Sequence, residues 1–380
     1  MNKIRLFKAG EIYPRYLEYF YKNVPDAIKL PYKEHLAKIM SDSFYWADFW
    51  KVNLEQTGNF TVEETLPNNR FLQNQWAKEH SLTVSEDNWF YEILDAQIAE
   101  FKPDIFFTNE FQIKPEYKVE IKKKHPSIKI IIGWDGIMRN DKNLFQGCDV
   151  VLSCVQESVD YYNANEFKGY YFIFGFEPEI LNRIKLRQPI FESTFVGSLY
   201  SWGHSQRLRL VAELSRKAPF KIWASSFAPT DKKGYMTEQL SRIRRGKFKD
   251  LRDVDRIRKV NQGEAFGLKM YQILADSKIT INSHIDFAGN KAANIRLFEA
   301  TGVGACLLTD WKENLSDFFE IDKEVVVYKS IDDCIDKVKF LLEHDSERNS
   351  IAKSGQERTL KDYNLEKRFG KFADYLFGLL

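Results

Sequence analysis

The sequence predicts an α/β protein with two domains, each built on a parallel β-sheet wound with helices. Short β-branched and aromatic runs alternate with longer stretches of helical periodicity, and the alternation starts afresh after residue 180. A chain of 380 residues, of which 44% are hydrophobic, is also long enough for two buried cores. We therefore expect one domain over 1–180, a second over 181–365 and an amphipathic terminal helix over 366–380.

The first domain is predicted to alternate strands with helices in a doubly wound pattern. Its predicted strands are short and apolar, and they fall at 3–8, 61–66, 105–108, 129–133, 149–153 and 170–174. Its predicted helices fall at 14–22, 35–53, 69–80 and 86–101, with a further basic helix that ends at 124.

The second domain repeats the alternation from about residue 193. Its predicted strands fall at 194–196, 221–224, 278–282, 305–308 and 325–328. Its predicted helices fall at 205–216, 267–275, 292–301, 331–344 and 347–362. A polar aromatic loop covers 200–204. A basic excursion covers 231–258, and we interpret its run at 242–247 as a solvated face rather than a binding patch.

Composition excludes several classes of protein. A formal net charge of +2 gives no strong attraction to nucleic acid, so we expect no nucleic-acid partner. The four cysteines have no metal-ligand spacing and predict buried free thiols. The first ten residues do not resemble a signal peptide, and no run approaches the roughly 18 apolar residues of a membrane span. We expect a cytoplasmic protein without a transmembrane segment; peripheral contact with a membrane surface stays open.

Polar residues at the predicted strand–helix unit 278–310 indicate a binding site. Asn282 and His284 follow the strand, and Asn294, Arg296 and Glu299 lie at the start of the helix. A helix N-terminus attracts anions, and an arginine fork matches phosphate oxygens. A carboxylate further along could accept hydrogen bonds from sugar hydroxyls. The alternatives are a solvated helix face and a structural histidine.

Two further positions lie where open α/β sheets bind ligands. Gly197 and Ser198 follow a strand, and Arg207 comes early in the next helix, which lets backbone and cation approach a phosphate. Asp135 follows Trp134 at the end of a strand in the first domain. It predicts either a general base or a loop carboxylate that caps the next turn.

The sequence Asn294-x-Arg296-x-Phe298-Glu299-Ala300, followed by a glycine turn and an apolar strand, resembles the C-terminal domain of group 1 glycosyltransferases. It is most similar to the branch of spore-maturation, CgeB-like proteins. The resemblance implies two facing Rossmann-like domains with a cleft between them, the GT-B fold, and a C-terminal helix that crosses back to the first domain. The first domain would bind the acceptor, and the second would bind the nucleotide-sugar donor.

The resemblance also implies roles for individual residues. Glu299 would hold the donor ribose, Arg207 and the helix start would face the diphosphate, and Asp135 would face the transferred sugar. Lys291 stands where many relatives carry a glutamate near the sugar. This difference leaves open whether the transfer retains or inverts the anomeric configuration of the sugar. We predict Asp135 and His284 as catalytic residues. We predict as donor-binding residues Gly197, Ser198, Arg207, Asn282, Lys291, Asn294, Arg296 and Glu299.

The function that the resemblance implies is transfer of a sugar from a nucleotide-diphosphate donor to a hydroxyl. The acceptor would be a carbohydrate, a lipid-linked molecule or a protein, in the synthesis of bacterial surface glycans or glycoconjugates. We expect no cofactor, no metal and no Asp-x-Asp motif that could chelate one. Two alternatives stay open: an epimerase or phosphorylase-like enzyme on the same fold, and a non-catalytic protein that binds nucleotide sugars, which Lys291 makes plausible.

Overall fold

The computed structural model divides the chain into two compact units. Unit 1 comprises Met1–Ile173 and Leu365–Leu380, and unit 2 comprises Phe174–Asn364. The residues that the structure describes are 3–137, 139, 141–199, 205–225, 248–286 and 289–380. The predicted loop at 200–204 and the basic run at 242–247 lie outside them. No helix within these ranges is long and apolar enough to cross a membrane.

Six parallel strands form the sheet of unit 1, in the order β2-β1-β3-β4-β5-β6. They are β1 Ile4–Ala9, β2 Phe60–Thr65, β3 Ile105–Thr108, β4 Ile130–Asp135, β5 Val150–Ser153 and β6 Lys168–Tyr171. The central strands are buried on both faces, which is why they read as continuous apolar runs. The strand order reverses between β1 and β3, and the loops that leave their carboxyl ends diverge there to open a crevice.

Helices cover the unit 1 sheet, and several begin where the sequence provides a start signal. They are α1 Pro14–Asn23, α2 Tyr32–Met40, α3 Phe49–Gln56, α4 Arg70–Glu79, α5 Trp89–Phe101, α6 Pro115–Lys124 and α7 Gln156–Asn163. Proline opens α1 and α6 at a position where its missing N–H costs nothing. The Asn69 side chain caps α4 by accepting from the Leu72 N–H at 3.3 Å.

The helix predicted over 35–53 is wrong, because the chain forms two helices with a break between them. Ser43, Tyr45 and Ala47 in the break have φ of 55°, 59° and 34°, a left-handed backbone that costs on the order of 1–2 kcal/mol per residue. Packing opposes this cost. Trp46 is buried against the rings of Phe107 and Trp134, at centroid distances of 5.7 and 5.0 Å. The tertiary contact of one tryptophan therefore overrides local helical propensity.

Five parallel strands form the sheet of unit 2, in the order β11-β10-β9-β7-β8. They are β7 Phe191–Val196, β8 Phe220–Trp223, β9 Ser277–Ile281, β10 Cys306–Asp310 and β11 Val326–Tyr328. The helices are α8 Ile180–Arg183, α9 Ser205–Lys217, α10 Phe248–Val260, α11 Gly267–Ala275, α12 Arg296–Gly302, α13 Ile331–Glu343 and α14 Asp345–Asp362. The strand order reverses between β7 and β9, so their carboxyl ends mark the expected ligand position.

The helix predicted over 292–301 begins only at Arg296, so Asn294 lies in the preceding loop. Side chains from the segment after β10 hold this loop. Asn314 accepts from the Ala292 N–H at 2.7 Å and donates to the Ala292 carbonyl at 3.1 Å, and Lys312 donates to the Gly289 carbonyl at 2.6 Å. These bonds replace the main-chain bonds that a longer helix would make.

The last helix, α15 Leu365–Phe377, packs in unit 1, as the fold prediction stated. Phe369 and Phe372 contact the Trp50 ring edge-on at 5.3 and 5.4 Å. Both also contact Phe172, at 5.6 and 5.0 Å. The apolar stripe of α15 thus completes the aromatic core beneath α3 and the end of β6.

We expect Phe372→Ala to destabilise unit 1 by about 3–5 kcal/mol, because it empties a fully buried aromatic site. Urea unfolding followed by tryptophan fluorescence measures this loss, since Trp50 contacts the deleted ring. Lys371→Ala, on the exposed side of the same helix, is the control and should stay within about 0.5 kcal/mol of the parent. Equal stability of the two variants would contradict this packing.

Candidate functional site

Arg207, at the start of α9, joins the carboxyl ends of β7 and β9. Its guanidinium donates from Nη1 to the Ser198 carbonyl at 3.0 Å and from Nη2 to the Ser283 carbonyl. Ser198 follows β7 and Ser283 follows β9, so one planar fork holds both sides of the position where the strand order reverses. The structure thus brings together three of the predicted elements: the loop after β7, the start of α9 and the loop after β9.

Arg207 is a buried cation. Burial lowers the pKa of its guanidinium to about 10, and the nearby acidic groups of Asp310, Tyr328 and Asp286 oppose that shift. The side chain therefore stays protonated at neutral pH and gives this edge of the sheet a positive charge. By contrast, the Gly197 N–H donates to the Trp223 carbonyl at 3.0 Å, so that amide is committed to the sheet. Contact of either residue with a diphosphate stays a prediction.

His284, in the loop after β9, is held by a carboxylate at the end of β10. Asp310 Oδ1 lies 2.7 Å from the imidazole Nδ1 and accepts from the His284 main-chain N–H at 3.0 Å. Burial alone would raise the pKa of Asp310, but His284 and Lys312 hold that pKa below its ordinary value. Asp310 is therefore ionised at neutral pH. Sequence reasoning missed this residue, although it ends a parallel strand beside the strand that leads to His284.

Asn282 and Asn294, two of the predicted donor-binding residues, contact each other. The Asn294 side-chain amide donates to Asn282 Oδ1 at 2.9 Å, and Asn282 donates in turn to Thr309 Oγ1 at 2.9 Å. Tyr328 donates to the Asn282 carbonyl at 2.9 Å. This chain of polar side chains joins the loop before α12 to the ends of three neighbouring strands.

Arg296 and Glu299, on the first turn of α12, form a buried ion pair. Arg296 Nη1 lies 2.8 Å from Glu299 Oε2, and Tyr271 donates to Glu299 Oε1 at 3.2 Å. Arg296 also contacts the Met270 sulfur at 3.0 Å. A carboxylate has about four lone-pair sites, so Glu299 can accept further hydrogen bonds beside these. Its contact with a ribose stays a prediction.

Lys291 lies apart from this buried network. Its side chain is 31% exposed, and its Nζ lies 3.5 Å from the Glu313 carboxylate. The bonds from Asn314 and Lys312 fix the loop that carries it. Lys291 is therefore a partly solvated charge on a well-held loop, close in sequence to the other predicted residues.

Asp135, at the end of β4 in unit 1, is fully buried. Tyr162 donates to its Oδ2 at 2.9 Å, and the Ile137 N–H donates to its Oδ1 at 3.2 Å. Burial raises the pKa of Asp135, and these donors oppose the shift. The arrangement is that of a carboxylate that caps the next turn, which was the alternative interpretation. Because Asp135 is fully buried, a substrate could reach it only if the surrounding residues moved.

A pocket in unit 1 lies at the carboxyl ends of β1 and β3, where the strand order reverses. Gly10 and Glu11 follow β1, Asn109 follows β3, and the aromatic rings of Tyr45 and Trp46 form part of the lining. Asn109 Oδ1 accepts from the Glu11 N–H at 3.0 Å, which fixes the backbone of the acidic residue. The pocket thus combines a carboxyl group with aromatic surface, but its cavity of about 20 Å³ holds only a water-sized group, so a sugar would enter only if lining side chains moved.

Glu11 has a strongly shifted pKa. Burial and the neighbouring carboxylate of Glu110 raise it to about 7, and Arg139 opposes them. A carboxyl group of this kind can exchange a proton near neutral pH. Sequence reasoning missed Glu11, although the signal was the one that selected Asp135: an acidic residue just beyond a parallel strand.

The described residues contain no group of three or more side chains suited to hold a metal ion. One Asp-x-Asp sequence does occur, at Asp253 and Asp255, contrary to the expectation. It lies inside α10, and Asp253 contacts Arg256 at 3.5 Å. Two carboxylates spaced by two on a helix point in different directions, so this motif is not a chelating loop.

Comparisons with known proteins bear on the fold. Residues 206–374 match the family model described as glycosyl transferase-like. HepE of Anabaena, solved in complex with UDP-glucose, is similar with a TM-score of 0.60 and 9% identity, over 98% of this chain and 99% of HepE. Sucrose-phosphate synthase of Thermosynechococcus elongatus gives a TM-score of 0.58 and 8% identity over 100% of both chains.

A third solved structure, the lipopolysaccharide outer core galactosyltransferase WaaB, gives a TM-score of 0.54 and 12% identity, over 99% of this chain and 100% of WaaB. A comparison with curated protein sequences gives no match. At such low identities these likenesses establish the fold alone, and the special similarity to the CgeB-like branch stays a prediction. The fold prediction is confirmed: the chain has the GT-B fold of two Rossmann-like units, with a glycosyl transferase-like region at 206–374.

Proposed function

We propose that the protein is a glycosyltransferase that takes a sugar from a nucleoside-diphosphate donor bound in unit 2. The observation that carries the proposal is the buried Arg207 guanidinium at the strand ends of β7 and β9. It places a permanent positive charge where open α/β sheets bind ligands, within the region that matches the glycosyl transferase-like family model. The complexes of HepE with UDP-glucose and with UDP make UDP-linked sugars the first donors to test.

The donor would lie across the loops after β7 and β9. Arg207 and Arg296 would face the diphosphate, and Glu299 would accept hydrogen bonds from the ribose hydroxyls. When the bond between the anomeric carbon and the diphosphate oxygen breaks, its electron pair stays on the diphosphate. Cations already fixed at that position stabilise the departing charge more than they stabilise the bound donor. We propose that these arginines act without a metal ion or cofactor, so that activity survives removal of divalent cations by a chelator.

The acceptor would bind in the unit 1 pocket through a hydroxyl group. Glu11, in its ionised form, would take the proton of that hydroxyl as the new glycosidic bond forms. The ring of Tyr45, which is partly exposed and stacks on the buried Trp46, would contact a sugar or another flat apolar face. Asp135 is the alternative base, and the residues that bury it would have to move first. Synthesis of a surface glycan or glycoconjugate is the setting that we propose for this transfer.

Turnover distinguishes this function from its rival, a protein that binds nucleotide sugars without reaction. The rival is favoured by Lys291, which pairs with Glu313 where a relative's glutamate would approach the sugar. The experiment incubates the protein with UDP-glucose and a panel of hydroxyl acceptors and measures released UDP. Acceptor-dependent release supports the transferase. Tight binding without release would support the binding protein instead.

Two substitutions in unit 2 should separate phosphate recognition from ribose recognition. Arg207→Lys keeps the charge but loses the planar fork, and we expect it to weaken UDP-glucose binding by about 30-fold or more, roughly 2 kcal/mol, with uridine binding unchanged. Glu299→Gln should weaken uridine and UDP-glucose by a similar factor, about tenfold, because both ligands carry the ribose. Isothermal titration calorimetry measures all four affinities.

Arg216→Ala is the matched control for Arg207→Lys, since it removes a largely exposed arginine from the same helix. Circular dichroism should show that each variant keeps its fold. If Arg207→Lys weakened uridine and UDP-glucose equally, the assignment of Arg207 to the diphosphate would be lost.

The pKa of Glu11, about 7, predicts the pH dependence of transfer. The protonated carboxyl cannot accept a proton, so kcat/KM for the acceptor should fall as pH drops through about 7. Glu11→Gln should remove this acidic limb and lower kcat by about 10²–10⁴-fold. Glu18→Gln, an exposed change on α1, is the control and should leave the profile intact. An unchanged acidic limb in Glu11→Gln would exclude Glu11 as the base.

A further inference from the structure

His284 carries a buried polar atom that no described residue satisfies. Its side chain is 1% exposed, and its Nε2 has no hydrogen-bond partner within the described ranges. Its other ring nitrogen and its main-chain N–H both bond to one oxygen of Asp310. A buried acceptor or donor without a partner costs about 1–3 kcal/mol, which makes such an atom a reason to look for a ligand.

The contact with Asp310 fixes which nitrogen of His284 carries a proton. An ionised carboxylate only accepts hydrogen bonds, so Nδ1 must donate to it and must be the protonated nitrogen. Nε2 is then either a bare lone pair or, in the imidazolium form, a second N–H donor. The two forms suit different ligands, since a bare nitrogen accepts from a hydroxyl, and the imidazolium donates to an anion.

Charged groups surround this ring from several elements. Asp310 and Lys312 come from the end of β10, where Lys312 Nζ lies 3.5 Å from the second Asp310 oxygen. Arg207 on α9 interacts electrostatically with Asp310, Asp286, Arg296 and the acidic group of Tyr328. These groups therefore lie near one another. Two nearby carboxylates, those of Asp286 and Glu299, already have partners. Asp286 accepts from the Ser205 N–H and hydroxyl at 2.8 Å, and Glu299 is paired with Arg296.

We propose that His284, positioned by Asp310, binds the donor diphosphate as an imidazolium and takes up one proton when the donor binds. The proposal rests on the proposed function, because it concerns the same donor site. Nε2–H would donate to a phosphate oxygen, and Asp310 would balance the positive charge on the other side of the ring. Asp310 would therefore be a positioning residue, which acts on the ligand only through His284.

Charge balance favours the anion over a sugar hydroxyl as the partner of Nε2. With Nε2 bare, Asp310 keeps a partly buried negative charge, and Lys312 Nζ lies 3.5 Å from its second oxygen. Protonation of the ring turns the pair into a compact ion pair, and an incoming diphosphate then meets a donor rather than a lone pair. Nε2 is closed to solvent in this structure, so its neighbours must shift for the ligand to reach it. A hydrogen bond from Nε2 to the ligand would remove the free-energy cost of an unsatisfied buried atom, and this gain would favour the shift.

Calorimetric titration with UDP-glucose tests the proton uptake directly. Both phosphates of this ligand are esterified and stay fully ionised near neutral pH, unlike the terminal phosphate of UDP, which titrates near pH 6. Binding heats are compared in buffers of different ionisation enthalpy, between about pH 6 and 8.5. The parent protein should take up as much as one proton per UDP-glucose, and its affinity should fall by as much as tenfold per pH unit at the alkaline end.

Three variants assign the proton. His284→Gln places an amide donor near the position of Nε2, so it should bind UDP-glucose within about tenfold of the parent and take up no proton from this site. Asp310→Asn keeps a hydrogen-bond acceptor but loses the charge, so its proton uptake should shrink and its affinity should fall. His344→Gln, an exposed change after α13, should behave as the parent does.

The outcomes separate this inference from the function on which it rests. UDP-glucose binding without proton uptake, or uptake that survives in His284→Gln, would overturn the proton-linked contact and leave the donor site standing. Absence of UDP-glucose binding at every pH would instead overturn the proposed donor site, and the inference with it. Uptake that disappears in His284→Gln and shrinks in Asp310→Asn would support both.

Discussion

The hydrogen bonds of Arg207 hold together the edge of unit 2 at which the strand order reverses. The connections of β7 and β9 run in opposite directions, so their outgoing loops diverge there. Arg207 donates to a carbonyl on each side and closes that gap with one planar group. Lysine could not do this, because a single ammonium lacks the fixed fork. The cost is a buried positive charge, which Asp310 and Asp286 offset from neighbouring loops.

The same edge of the sheet is built largely from polar groups that contact one another, although His284 Nε2 and Glu299 Oε2 make no hydrogen bond to any residue that the structure describes. Asn282 bonds to Asn294 and Thr309, His284 bonds to Asp310, and Glu299 bonds to Tyr271 and forms an ion pair with Arg296. A network of this kind is rigid, because moving one member leaves a buried partner unsatisfied. It therefore holds the loops in place before any ligand arrives, and a ligand that binds there exchanges existing bonds for new ones.

Sequence patterns predicted the parts of this protein that depend on local periodicity. The alternation of strands and helices, the two parallel sheets and the existence of the last helix follow from apolar spacing, whereas its packing in unit 1 was implied by the family resemblance. What the patterns missed depends on contacts between distant residues. The break before α3 comes from the packing of Trp46, and the late start of α12 comes from Asn314 and Lys312. Glu11 and Asp310 could have been predicted as site residues, because each lies at the end of a parallel strand. That criterion selects many residues, however, and only their burial and hydrogen-bond partners show which of them have unusual chemistry.

The path of the chain through unit 1 has a consequence for its synthesis. The chain leaves unit 1 after Ile173 and returns at Leu365, so the whole of unit 2 is made before α15 exists. At ribosomal speeds of about 5–20 residues per second, the intervening stretch of about 190 residues takes roughly 10–40 seconds. During that time the faces of Trp50 and Phe172 that α15 covers stay open to water or to other chains. The nascent protein thus exposes an apolar surface until α15 is made. A chaperone, or slow translation near the end of the message, would affect the fraction of chains that reach the native state.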